Sequence, residues 1–184
     1  TTIYMHNYLG QSLTTAGIVL FINSLALIAG SYLGGRMYDK DRKNARRWLL
    51  GAIFLSTSAV FLLIFFNDWP TFAVLLFLDN FSGGIAITIG NSLATGIKEK
   101  SSRQVFNMLY FMQNVGVVIG TLLVGVLVEI SIEWIFISNF ILFASYLFVV
   151  YRHYYVPKAA LVKEQVAKKG QDKTPRRYVW FIGA

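Results

Sequence analysis

The chain has 184 residues, of which 55% are hydrophobic, 16% aromatic and 14% charged, with no cysteine and a formal charge of +8. A single water-soluble domain of this length has too little interior to hide so much apolar surface, so the solvent the composition implies is lipid. Disulfides and thiolate metal sites are excluded, and the surplus cations, set beside apolar blocks, read as charge facing anionic lipid headgroups and not nucleic acid.

Residues 1–14 begin with Thr and have neither the basic start nor the apolar core of a signal peptide. They are expected to form an external loop that follows a helix absent from the chain. At roughly 20 apolar residues per crossing of a ~30 Å hydrocarbon core, complete transmembrane helices are predicted at 15–37, 48–66, 71–96, 104–128 and 134–151. Ser12 and Thr14 are candidate caps for the first, Pro70 opens the third within its first turn, and Pro157 lies just past the last. Residues 15–152 thus read as one transmembrane helical bundle. Residues 153–177 form a basic linker, in which 159–169 can make a short helix supported by Glu164 and Lys168 and ended by Gly170. Residues 178–184 read as the start of a further, truncated helix, so the chain is expected to be part of a longer one.

All 17 Lys and Arg residues fall within 36–47, 98–103 and 152–177, whereas the intervening connections carry only acids, Asp68 in one and Glu129 and Glu133 in the next. Cationic loops stay on the cytoplasmic side. The three clusters therefore agree on one topology, that of a multi-pass protein of the cell membrane with its basic loops cytoplasmic and residues 67–69 and 129–133 outside.

Just after the first helix stands Gly35-x-x-x-Asp39-Lys40-x-x-Lys43. A carboxylate at a helix C-terminus meets the negative end of the macrodipole, at a cost of about 0.3–1 kcal/mol. Lys40, Lys43 and the N-terminus of a packed helix are the expected compensation, and Gly35, with Gly30 and Gly34, would let such a helix come close. This segment resembles the loop between the second and third helices of the major facilitator superfamily, GxxxD(R/K)xG(R/K)(R/K), with Arg42 where the family usually has Gly and Asn44 where it has a cation.

The resemblance implies a fold of about twelve helices in two six-helix halves, of which this chain would cover the second helix to the start of the seventh. It also implies that Gly35, Asp39, Lys40 and Lys43 form a cytoplasmic gating loop that latches the two halves. A second stretch, from Asn114 through Gly116 and Gly120 to Gly125, resembles the fifth-helix pattern GxxxGPxxGG of proton-coupled drug antiporters, with Thr121 at the Pro position and Val124 at a Gly position. Gly116 and Gly120 give a small-residue face at i,i+4, so close helix packing there, continued by Gly125, is expected on either reading.

Asp79 is the one ionisable side chain inside a predicted span. A charged, unpaired carboxylate there costs several kcal/mol, so such a group is paired, hydrated or protonated and is a functional candidate by default. Asp79 shares a helical stripe with Gly83, Ala86 and Gly90, which turns it toward a neighbouring helix or a cavity. The segment Leu76-x-x-Asp79-x-x-Ser82-Gly83 resembles the superfamily's fourth-helix motif LxxRxxQG with the charge inverted, which implies an acid that binds a proton or a cationic substrate. Structural pairing with a polar neighbour is the other reading.

Asn80 and Asn91 on the third helix, and Asn107, Gln113 and Asn114 on the fourth, complete the candidate proton or substrate site, with Asn23 on the first as a further cavity-facing amide. Hydrogen bonds between helices, worth about 1 kcal/mol each, would account for the same residues.

An enzyme is not expected. His6 and His153 both lie outside the hydrocarbon, so neither can act as base for Ser92, and one intramembrane Asp makes no carboxylate pair. No phosphate loop, zinc spacing or nucleotide fingerprint occurs, and no cofactor or metal is expected. The sequence reads as an all-α integral membrane protein, a partial N-terminal six-helix bundle. Its expected function is secondary transport of a small solute by alternating access, with proton-coupled efflux of lipophilic or drug-like compounds ahead of a nutrient symporter. Its expected partners are the solute, protons, the bilayer and a C-terminal half of the same transporter. A passive channel or structural subunit is the reading from another class.

Overall fold

The computed structural model describes residues 1–66, 68–95 and 101–153. The predicted linker from residue 154 on, its short helix and Pro157, the start of a helix at 178–184 and most of the second basic cluster fall outside those residues, whereas residue 153, counted with the linker, is described and helical. Among the described residues there are helices and no strands, as lipid requires of a chain that must satisfy its backbone internally.

Helix α1 (Thr2–Asn7) is short, and five long helices follow it: α2 (Leu13–Lys40), α3 (Ala45–Phe65), α4 (Trp69–Thr95), α5 (Ser102–Ile130) and α6 (Glu133–His153). All five are long and apolar enough to cross a membrane.

Local chemistry sets the helix ends. The Ser12 hydroxyl accepts from the Thr15 N–H at 3.1 Å and caps α2. Asp41 ends α2 and caps the 3-10 turn Arg42–Asn44, accepting from the Asn44 N–H at 3.3 Å and from its side-chain amide at 2.7 Å. The Asp68 carboxylate accepts from the Thr71 hydroxyl at 2.9 Å at the start of α4, where Pro70 sits in the first turn. Ser101 and Gln104 close a reciprocal capping box on α5, with both bonds at 3.3 Å.

Residues 1–14, expected as a loop, contain α1. Six residues are too few to hold a helix by propensity, so α1 is held by packing. Met5 is fully buried, and the Tyr4 ring lies 5.1 Å from Phe72 of α4 and 5.3 Å from Phe136 of α6. Burial pushes the Tyr4 phenol above its ordinary pKa. Gly10, at φ 64°, supplies the left-handed turn that leads from α1 into α2.

The closest seam is between α2 and α4. A Cβ on Gly30 would collide with the Phe81 carbonyl oxygen, one on Gly84 with the Leu27 carbonyl oxygen, and one on Gly34 would sit 2.9 Å from the Ile85 carbonyl oxygen. Across this seam the Ser31 hydroxyl donates to the Gly84 carbonyl at 3.4 Å. Two glycines expected to pack do not enter this seam. Gly83 would meet nothing within 4 Å, because its neighbour Gly84 is the residue turned into the seam, and Gly35 would meet only the Thr88 methyl at an ordinary 3.8 Å.

Two apolar clusters form the interior. Leu49 and Ile53 of α3, Ile85, Ile89 and Leu93 of α4 and Val150 of α6 make one. Met5, Ala16, Ala59, Leu63, Phe72 and Leu75 make the other. Helix α5 stands apart: no residue of its most apolar window is buried, against 44% for α3, and Cβ atoms on Gly116, Gly120 or Gly125 would all point into open space.

Gly30→Leu is expected to destabilise the protein in detergent by about 3 kcal/mol or more, since backbone on the facing helix cannot give way. Gly51→Ala, where a Cβ meets nothing and Ala is the better helix former, should unfold no earlier than the wild type. Equal melting of the two variants would remove the seam from the account.

Candidate functional site

Three hydroxyls follow one another in the middle of α3, and the helix gives them different roles. The Thr57 and Ser58 hydroxyls donate back to the Ile53 and Phe54 carbonyls of their own helix, each at 2.8 Å. Ser56, 1% exposed, instead donates across to the Asp79 carboxylate of α4. One turn along α4, the buried Ser82 hydroxyl shares its proton between the Leu78 carbonyl at 2.7 Å and the Asp79 carbonyl at 3.1 Å.

Ser56, Asp79 and Ser82 lie along their helices between the residues of the two apolar clusters, so they form a polar layer within the bundle. Among the described residues no cation stands within ion-pair distance of Asp79. A half-buried carboxylate with one hydroxyl donor and no counter-charge can exchange a proton or bind a cation, because neither is already supplied by the protein.

The other predicted polar residues do not gather around it. Asn80 is half-buried and its amide donates to the Leu76 carbonyl of its own helix at 2.8 Å, while Asn91 is half-buried farther along α4. On α5, Asn107, Gln113 and Asn114 are exposed, and the Asn114 amide donates to the Tyr110 carbonyl at 2.8 Å. Of the stripe expected beside Asp79, Ala86 packs in the apolar cluster with α3, and Gly90 faces the Tyr146 hydroxyl of α6, 3.7 Å from where a Cβ would stand.

Asn23 is 4% exposed, and neither atom of its amide has a hydrogen-bond partner. It lines a cavity of about 240 Å³ between α2 and α4 with Val19, Ile22, Ala73, Val74 and Phe77. Sequence reading missed Ser56. One hydroxyl in a Ser-Thr-Ser run is no signal in a membrane helix, where such hydroxyls usually bond to their own backbone, as Thr57 and Ser58 do.

At the cationic end of the bundle Asp39 is largely exposed and pairs with Arg42 at 3.8 Å. The expected partners, Lys40 and Lys43, are exposed and make no ion pair with it. The 3-10 turn is the reason, since it brings the residue at i+3 back over the helix end. The pair is a surface contact worth less than about 1 kcal/mol. Arg42 also lies 5.3 Å from the Tyr38 ring, and the Tyr38 hydroxyl donates to the Ser92 carbonyl at 3.3 Å, which ties the loop to the far end of α4.

The chain matches the family model described as Major Facilitator Superfamily over residues 1–182. It belongs to the major facilitator superfamily. Within the superfamily it is 37% identical over 150 residues to a protein of Bacillus subtilis (strain 168) named "Uncharacterized MFS-type transporter YttB", a match that takes in 82% of this chain. The chain spans 37% of that relative's length. No solved structure shows a significant match. Superfamily membership, with the five apolar helices, makes this a multi-pass membrane protein.

Ser56→Ala and Asp79→Ala should each lower stability in detergent, and the double variant should be less harmful than their sum by about 1 kcal/mol, as for one shared hydrogen bond. Strict additivity of the two in a thermal-unfolding cycle would mean that they do not interact.

Proposed function

We propose that this chain works as the larger part of the N-terminal half of a secondary transporter, moving a small solute across the cell membrane by alternating access. The basic loops face the cytosol in this reading, by the charge distribution of the sequence. The observation that carries it is the Asp79 carboxylate, held within the bundle by Ser56 with no cation within ion-pair distance among the described residues. Superfamily membership and a relative whose name calls it a transporter support transport over catalysis.

Asp79 is the proposed coupling acid. In a site of low polarity it takes up a proton from one side and releases it on the other as water reaches it, and the loading of the site follows the pH gradient. Asn80 and Asn91 on the same helix, and Asn107, Gln113 and Asn114 on α5, are the proposed solute contacts. Their side chains come into one cavity only when α4 and α5 close around the solute together with the C-terminal half.

The solute is proposed to be lipophilic or drug-like and the direction outward, on the strength of the Gly116, Gly120 and Gly125 pattern of α5. A nutrient symporter of the same fold uses the same acid. It is favoured by Thr121 in place of Pro, since α5 runs unbroken and the Thr121 hydroxyl bonds to the Val117 carbonyl at 2.7 Å. Solute flux against or along an imposed pH gradient separates the two.

In the intact transporter reconstituted in vesicles, Asp79→Asn is expected to abolish the pH dependence of solute flux, with the residual rate flat across the pH range. An unchanged pH profile removes Asp79 from the coupling mechanism.

The loop of Gly35, Asp39, Lys40 and Lys43 is proposed to latch the cytoplasmic side between the two halves. A channel gains nothing from such a latch. Asp39→Ala is therefore expected to slow transport about tenfold, a coupling of roughly 1.4 kcal/mol between latch and gate, with membrane insertion intact. Full rates in that variant would refute the latch and favour a passive pore.

A further inference from the structure

A groove follows the seam between α3 and α6 on the outside of the bundle. One section, about 560 Å³, is lined by Leu50, Gly51, Phe54, Ala144, Leu147 and Tyr151, among others. The next, about 470 Å³, shares Phe54, Ala144 and Leu147 with it and continues to Phe61, Leu62 and Phe140. From Leu50 to Leu62 the groove extends about 18 Å at 1.5 Å per residue, close to one leaflet's half of a ~30 Å hydrocarbon core.

Its walls are carbon. The Thr57 and Ser58 hydroxyls that border it are occupied by carbonyls of their own helix. At Gly51 the wall recedes, and a Cβ there would meet nothing within 4 Å.

Cations stand at one end only. The Arg46 guanidinium donates to the Tyr151 carbonyl and lies 6.0 Å from the Tyr151 ring, at the mouth of the groove. Arg47 and Arg152 are exposed and continue the lining faces of the two helices, Arg47 one turn before Gly51 and Arg152 one turn after Phe148. Helix α3 carries no acid, and Glu133, the acid of α6, stands at the opposite end of its helix.

We propose that this groove binds an anionic phospholipid, with one acyl chain laid along α3 and α6 and the phosphate held by Arg46, Arg47 and Arg152. The charge complementarity commits the site to this occupant. An uncharged amphiphile gains nothing from three arginines set on otherwise acid-free faces, and each Lys or Arg near a membrane surface favours anionic lipid. The site faces lipid, away from the Ser56–Asp79 contact, so it stands whether or not the transport reading does.

The test uses the intact protein, stripped of lipid in mild detergent and titrated with phosphatidylglycerol or phosphatidylcholine of identical chains, with bound lipid counted by native mass spectrometry. Wild-type protein is expected to hold one phosphatidylglycerol about tenfold more tightly than phosphatidylcholine. The R47Q/R152Q variant, which keeps Arg46, should lose most of that preference while still binding chains. Gly51→Leu, whose Cβ has no protein atom within 4 Å and whose side chain extends into the groove, should weaken both lipids, and Ala144→Leu should do the same from the opposite wall if the first variant folds poorly. Equal affinity of wild-type protein for the two lipids overturns the proposal. So does a headgroup preference undiminished in R47Q/R152Q, or lipid binding untouched by a folded groove-filling variant.

Discussion

Direct backbone contact between α2 and α4, made possible by Gly30, Gly34 and Gly84, fixes the position of nearly everything else in the bundle. In lipid the helices gain little by hiding apolar surface from each other, because the tails are as apolar as the side chains. Close approach and hydrogen bonds across the interface hold them instead. With glycines on both sides, carbonyl oxygens and Cα atoms pack where side chains would normally intervene, and the Ser31 hydroxyl reaches the Gly84 carbonyl. Once α4 is set against α2 in that rotation, its other face must turn to α3, and Asp79 comes to the Ser56 hydroxyl.

The polar layer follows from that geometry. Apolar clusters on both sides of it pack without polar atoms, from Leu49 and Ile89 at one end to Met5 and Phe72 at the other. Between them, Ser56, Asp79 and Ser82 hold a hydrogen-bonded contact that an apolar pair could replace without loss of packing. An intramembrane carboxylate is costly to bury and a functional candidate by default, and this, more than any likeness of motif, is why the proposed mechanism is built on Asp79. Helix α5 contrasts with this rigid core. Its glycines face open space, so the element that carries Asn107, Gln113 and Asn114 is the least constrained of the five.

The long helices and the family were legible in the sequence because length and hydropathy over twenty residues are strong signals, and the Asp39 segment has a specific spacing. Details that depend on helix rotation were not. Gly83 and Gly84 are neighbours, as are Gly34 and Gly35, and only the set of the helix decides which of each pair enters the seam. Ser56, Thr57 and Ser58 are equally plain as letters, yet one crosses to another helix and two turn back. The short α1 left no periodic trace because six residues owe their helicity to contacts of Tyr4 and Met5 with other elements. Arg42 replaced Lys40 and Lys43 as the partner of Asp39 because a 3-10 turn, not visible in the sequence pattern, changed which side chain comes back over the helix end.

The cationic end of the bundle holds two separate sets of contacts. On the α2 side, Tyr38 connects the end of α2 to the Ser92 carbonyl of α4, the helix that also bears Asp79. On the α3 side, Arg46 is bound to Tyr151 and closes α3 against α6 at the membrane surface. The first contact is a single neutral hydrogen bond at 3.3 Å beside an exposed ion pair. The second joins a guanidinium to both a carbonyl and an aromatic face, and α3 and α6 share a buried cluster beneath it. Within the same basic surface, then, the α2 contacts hold less firmly than the α3–α6 contacts.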